Sequence, residues 1–195
     1  MTGFSLPLLL GLLAACGLLM VLEFRGLKTT LKLEMKGDVK RETRWLAQYG
    51  QAACTGVAAL LVLQLDPRAD RKTRALVVII VVAAASVAAM LVKRLFSRVR
   101  PGHENAGKFL GPTIKHANRH ESFPSSHSAA AVALSVALST MYPGGAVTFW
   151  GLALACAVLR YILDAHWPSD CLGGIALGYG LAHLTWWGMK SFISH

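Results

Sequence analysis

Three short groups of polar residues carry the chemistry this sequence could perform. In the first, Lys93 is followed after six residues by Arg100 and then Pro101. Residues seven apart on a helix share a face, about 10 Å apart along the axis. The two cations can therefore converge on one anion if the last turn bends, and Pro101 disfavours helical geometry in the residue before it. The second group, Phe123-Pro124-Ser125-Ser126-His127, stands directly before an apolar run. A helix starting there aims unpaired backbone N–H groups and the positive end of its dipole at any bound anion, and His127 is placed to exchange a proton with it. The third is Arg160, five residues, His166, three residues, Asp170. An aspartate four residues beyond a histidine can accept the proton of one ring nitrogen, which leaves the other free to attack. The Arg160 guanidinium can hold two phosphate oxygens at once, although Asp164 offers it an ordinary i, i+4 ion pair instead.

Together the groups supply three cations, a helix N-terminus and two imidazoles. That set fits an in-line displacement at phosphorus, in which charge on the equatorial oxygens is neutralised while one imidazole attacks and the other protonates the leaving oxygen. The sequence holds no carboxylate cluster suited to metal ions, so the expected reaction uses no metal and no cofactor.

In their order and gaps, Lys93 to Pro101, Pro124 to His127 and Arg160 to Asp170 resemble the three signature motifs of the type 2 phosphatidic acid phosphatase superfamily. The resemblance implies a bacterial membrane lipid phosphatase acting on a substrate such as phosphatidylglycerophosphate, phosphatidate or undecaprenyl pyrophosphate. It also implies that His166 is the nucleophile, forming a phosphohistidine, with Asp170 orienting it and His127 as general acid. Lys93, Arg100, Ser125, Ser126 and Arg160 would bind the phosphate. Two positions depart from the pattern: Ser126 stands where the family usually has glycine, and Leu159 where it usually has serine. A backbone N–H contact survives the first change unless the position needs a positive φ.

The elements that must position these residues follow from composition. Of 195 residues, 54% are hydrophobic and 15% charged, which excludes a disordered, collagen-like or disulfide-framework chain. Cys16, Cys54, Cys156 and Cys171 lie in or beside apolar runs and read as small core residues. The apolar residues form runs long enough for a bilayer, and the expected fold is all-α, a single domain over 1–195 built as a six-transmembrane-helix bundle. The spans expected are Thr2 to Leu22, Leu46 to Leu65, Ala75 to Val92, His127 to Tyr142, Ala146 to Leu163 and Cys171 to Met189. Pro143-Gly144-Gly145 divides the fourth from the fifth. The first run lacks a positive n-region and continues past its small residues, so it reads as a retained anchor.

Between the first two spans, Leu27, Leu31, Met35 and Val39 recur every four residues beside Lys28, Lys32, Lys36 and Lys40. This pattern predicts an amphipathic helix lying in the interface. Gly174 and Gly178 predict close helix packing, and Trp45, Trp167, Trp186 and Trp187 interfacial anchoring. The loop from Gly102 to Ser122, with His103, His116 and His120, reads either as a lid or head-group selector or as solvated decoration.

The net charge of +10 comes from cations lying between apolar runs, so lipid phosphates rather than nucleic acid are the expected partners. Six-span threading puts 15 of the 20 cations on the motif-bearing side, which by the positive-inside rule would be cytoplasmic. The resemblance implies the extracytoplasmic face, and the reading adopted follows it, because a phosphate-binding surface gathers cations for its own reasons. Two other functions share these features: a lipid phosphotransferase using the same phosphohistidine, and a phospholipid-binding or transport protein without turnover.

Overall fold

The apolar runs become helices. The computed structural model describes residues 3–27, 29–31, 33, 36–114, 118–163 and 166–192. Helix α1 (Leu6–Phe24) starts at Ser5, whose hydroxyl accepts a hydrogen bond from the Leu8 N–H, and has Pro7 in its first turn. Helices α2 (Gly37–Leu46), α3 (Ala52–Leu65), α4 (Arg71–Phe96), α5 (Ser126–Met141), α6 (Ala146–Ile162) and α7 (Pro168–Met189) follow. An isolated antiparallel bridge pairs Arg98 with Phe109.

The centre of the bundle is α5, with α4, α6 and α7 packed around it. Every residue from Ser128 to Ser139 is buried, and nearly all are Ala, Ser or Val, whose small side chains let neighbouring backbones come close. Gly174 and Gly178 show how close: a Cβ there would lie 2.3 Å from the Ser125 carbonyl oxygen and 2.2 Å from that of Ala129. The pair packs α7 onto α5, as the spacing predicts.

The outer surface is apolar. Leu10, Leu13 and Leu18 on α1, Val57 and Leu60 on α3, Ile79 and Leu91 on α4 and Leu154 on α6 are all exposed. A bundle with small residues inside and large apolar residues outside suits a hydrocarbon solvent. The six expected spans fall on α1, α3, α4, α5, α6 and α7. By length and composition, Leu6–Phe24, Arg71–Phe96 and Pro143–Ile162 are long and apolar enough to cross a membrane. The shorter α3 and α5 have 14 and 16 residues, some 21 to 24 Å at the usual rise, and α5 is jacketed by its neighbours.

The interfacial helix expected around Leu27 to Lys40 is a correction. The described residues between Leu27 and Lys36 are not helical, and α2 begins only at Gly37. Tertiary hydrogen bonds outweigh the four-residue period: the Leu33 N–H donates to the Ile162 carbonyl at 3.0 Å, and the Tyr161 hydroxyl donates to the Thr29 carbonyl at 2.7 Å. Thr29 and Leu33 are thereby tied to the end of α6. Lys28, Lys32 and Met35 of the expected stripe lie outside the described residues.

Candidate active site

Polar side chains gather where α1, α4 and α6 end and α5 and α7 begin. Lys93 lies in the last turn of α4, which stops at Phe96 because Ser97 adopts left-handed geometry (φ 45°, ψ 53°). The chain then runs beside residues 107–110, with the Val99 N–H donating to the Lys108 carbonyl at 2.9 Å and the Gly107 N–H to the Val99 carbonyl at 3.0 Å. The break therefore comes at Ser97, four residues before Pro101, and a loop rather than a bent helical turn carries Arg100 round. The Arg100 N–H donates to the Arg119 carbonyl at 2.9 Å.

At the start of α5, the Lys93 ammonium donates to the Ser126 hydroxyl at 3.1 Å. Ser125, expected among the phosphate ligands, is fully buried and caps the helix: its hydroxyl oxygen accepts from the Ser128 N–H and hydroxyl, at 3.4 and 3.0 Å. Its own N–H donates to the Asp170 carbonyl at 2.9 Å. Ser125 thus caps the helix whose start forms the cradle. His127 is partly exposed in the first turn, within electrostatic reach of Arg160, His166, Lys93 and Arg100.

Arg160 occupies the last turn of α6, and its buried Nε has no hydrogen-bond partner among the described residues. Asp164, its alternative ion-pair partner, lies outside them. His166 follows in the turn before α7 and is 1% exposed. Its Nδ1 is 2.9 Å from the Ser122 carbonyl oxygen and 3.6 Å from Asp170 Oδ2. The second distance is beyond a hydrogen bond, so the Ser122 carbonyl, rather than Asp170 as expected, accepts the Nδ1 proton. That leaves Nε2 as the lone-pair nitrogen, and it is buried with no partner among the described residues. Burial pushes the imidazole down to about 4 against the upward pull of Asp170, with Arg100 and Arg160 adding to the lowering. At neutral pH the ring is uncharged and available as a nucleophile.

Three other donors reach Asp170. Its Oδ1 accepts from Arg98 Nη1 at 2.7 Å, and its Oδ2 accepts from the Trp167 N–H at 2.9 Å and from the Ser122 hydroxyl. The same Arg98 Nη1 donates to the Ser169 hydroxyl at 2.7 Å, Nη2 to Glu23 Oε2 at 2.8 Å and Nε to the Gly107 carbonyl at 3.3 Å. Glu23 accepts from the Ser169 N–H at 3.2 Å and also from its hydroxyl. Sequence reasoning missed Arg98, Glu23, Ser122 and Ser169. The available signal was Glu23 itself, a lone carboxylate closing a long uncharged run, which needs a cation when buried.

Trp167, expected to anchor at the interface, is partly exposed and also has partners inside the protein. Its indole N–H donates to the Val99 carbonyl at 3.1 Å, and its ring lies 5.2 Å from the Arg98 guanidinium. In the loop after Arg100, His103, Glu104 and Asn105 are exposed. Phe109 packs against Phe24, Phe96 and Phe123, which anchors the loop to the bundle, while His116 lies outside the described residues.

Chemically, the arrangement brings a buried imidazole nitrogen, a second imidazole and the cations Lys93, Arg100 and Arg160 within electrostatic reach of one another. Such a nest suits a trigonal, multiply charged oxyanion.

The chain is similar to known proteins. The model of the PAP2 superfamily matches residues 52–193. Among curated relatives, the lipid A 1-phosphatase of Rhizobium johnstonii is 35% identical over 98 residues, half of this chain and 40% of the relative. The decaprenylphosphoryl-5-phosphoribose phosphatase of Mycobacterium tuberculosis is 33% identical over 137 residues, 69% of this chain and 72% of the relative. The chain thus spans less than half the length of the lipid A 1-phosphatases it matches. A transmembrane PAP2-type phosphatidylglycerolphosphate phosphatase from Bacillus subtilis shares the fold, with a TM-score of 0.60 at 17% identity over 96% of this chain and 94% of that one.

Proposed function

The chain belongs to the PAP2 superfamily, and on that premise we propose that it is a six-span membrane lipid phosphatase. In this reading it hydrolyses a lipid phosphomonoester or pyrophosphate at the bilayer edge, on the extracytoplasmic face, without a metal ion. The observation that carries the reading is the buried Nε2 of His166, without a hydrogen-bond partner among the described residues and within electrostatic reach of Arg100 and Arg160.

The Nε2 lone pair attacks phosphorus in line with the departing lipid oxygen. As the N–P bond forms, the P–O bond breaks, and His127 gives its proton to the leaving oxygen. Lys93, Arg100, Arg160, the Ser126 hydroxyl and the N–H groups opening α5 neutralise the equatorial oxygens. In the second step water attacks the phosphohistidine, His127 takes a water proton, and inorganic phosphate leaves with His166 restored. An amphiphilic substrate explains why such a site lies at the end of a membrane bundle: its scissile bond is found at that depth. The names of the relatives, lipid A 1-phosphatase and decaprenylphosphoryl-5-phosphoribose phosphatase, support a phosphate carried on a lipid.

The test is phosphate release in detergent, with EDTA present, across phosphatidate, phosphatidylglycerophosphate and undecaprenyl pyrophosphate. Release from at least one, inhibited by vanadate as a trigonal-bipyramidal mimic, is the expected result. Transfer of labelled phosphate to an added lipid instead of water would assign a phosphotransferase. Lipid binding with no turnover on any substrate would assign a binding or transport protein.

A further inference from the structure

What fixes the His166 ring extends beyond the three motifs. The ring nitrogen Nδ1 faces the Ser122 carbonyl, so the ring is only as well placed as Ser122. Ser122 is held twice: its hydroxyl donates to Asp170, and its N–H donates to the Arg98 carbonyl at 3.0 Å. Arg98 reaches the same carboxylate with its guanidinium, and so grips both supports of the nucleophile. It is 1% exposed, and its opposite Nη is clamped by Glu23 at the end of α1.

We propose that Arg98, clamped by Glu23, is a positioning residue for the nucleophile, and that α1 contributes to turnover through this contact. The inference rests on the reading of His166 as nucleophile. Glu23 lies outside the matched residues 52–193, so the family motifs do not supply it. One guanidinium charge is shared between two buried carboxylates. Asp170 therefore keeps negative charge to stabilise the positive charge that grows on the attacking ring, while the planar fork holds its orientation. Neutralising Glu23 would throw the whole Arg98 charge onto Asp170 and weaken that support. The side-chain hydrogen bonds described for Arg98 and Glu23 run to each other and to Asp170, Ser169, Gly107 and Thr29, on the far side of His166's supports, so phosphate binding should survive their substitution.

The experiment compares wild type, His166→Ala, Arg98→Met, Arg98→Lys and Glu23→Gln in detergent, with the lipid phosphate that wild type hydrolyses fastest and inorganic phosphate as competitive inhibitor. Arg98→Met should lower kcat about 10- to 100-fold, as loss of an outer-layer orienting contact does. KM and the inhibition constant of phosphate should stay within about threefold. Glu23→Gln should lower kcat about tenfold, and Arg98→Lys, which keeps the charge but not the fork, should recover part of the Arg98→Met loss. Unchanged kcat in Glu23→Gln and Arg98→Lys would overturn the proposal. So would a parallel loss of kcat, phosphate binding and folded protein, which marks a purely structural tie. If Arg98→Met does not fold, the other two variants decide by the same split. Turnover retained in His166→Ala would sink the phosphatase mechanism itself, whereas silent Arg98 and Glu23 variants beside an inactive His166→Ala sink only this inference.

Discussion

Asp66 and Asp170 are both buried carboxylates held by an arginine, at opposite ends of the bundle. Asp66 closes α3, where it accepts from the Tyr142 hydroxyl at 2.6 Å, the Arg68 N–H at 3.0 Å and Arg68 Nη1 at 3.2 Å. Close by in sequence, Arg74 pairs with Asp70 at 2.9 Å. That end is a closed account of donors and acceptors, as a structural clamp between α3 and the end of α5 requires. At the other end Asp170 is equally satisfied, yet the atoms beside it are not: His166 Nε2 and Arg160 Nε are buried without partners among the described residues. A buried polar atom left unpaired costs about 1 to 3 kcal/mol, so a fold that keeps two of them together has a use for them. The difference is that ion pairs hold the bundle at both ends, while buried polar atoms without a partner among the described residues are left over at one, where the proposed chemistry lies.

The sharpest way to break this comparison is His166→Ala. Removing the proposed nucleophile should cut phosphate release by at least about 10⁴-fold, measured against wild type on the same lipid phosphate. Arg160→Ala should follow, at about 10²- to 10³-fold in kcat, the size expected for one lost donor to a transition-state oxyanion. A loss confined to KM would instead place Arg160 in ground-state binding.

The opposite end supplies the control. Tyr142→Phe removes one donor to a buried carboxylate and should cost about 1 to 3 kcal/mol of stability, read as a lower Tm in detergent. Activity per folded molecule should be unchanged. A large fall in kcat from this variant would mean that the two ends are coupled, and would erase the distinction drawn between them.

How much of this was legible in the sequence depends on the reach of each interaction. Helix positions were readable because apolar runs and their breakers, such as Pro143 and Pro168, act within a few residues. The convergence of Lys93, Ser126, Arg160 and His166 was readable because alternating helices return each motif to the same end. The stop at Ser97 was not, since a left-handed serine has no composition signal, and the proline four residues later drew attention from it. Nor was the Arg98 clamp, whose partners Glu23, Ser169 and Asp170 lie more than 70 residues away in the chain. The lysine stripe before α2 failed for the same reason: a period of four describes local preference, and the contacts of Leu33 and Tyr161 with distant segments decided the outcome.

The smallest expected effect separates the ends by pH. In the folded protein the His166 pKa is pushed down to about 4, whereas in the unfolded chain it returns to its ordinary 6.5. Between those values the unfolded state binds a proton that the folded ring refuses, so this residue's contribution is fully present above pH 6.5 and is lost as pH falls toward 4. Asp66 behaves differently: hydrogen bonds from Tyr142 and Arg68, opposing burial, hold its carboxyl below the usual carboxylate range, so it stays ionised across the same interval. Tm recorded from pH 7.5 down to 4.5 should therefore decline in wild type and decline less in His166→Gln, whose amide cannot take up the proton. Asp66→Asn should lower Tm by a similar amount at every pH in that window. Equal slopes for wild type and His166→Gln would show that the folded ring takes up its proton at the same pH as the unfolded one, so that burial does not hold it neutral below pH 6.5.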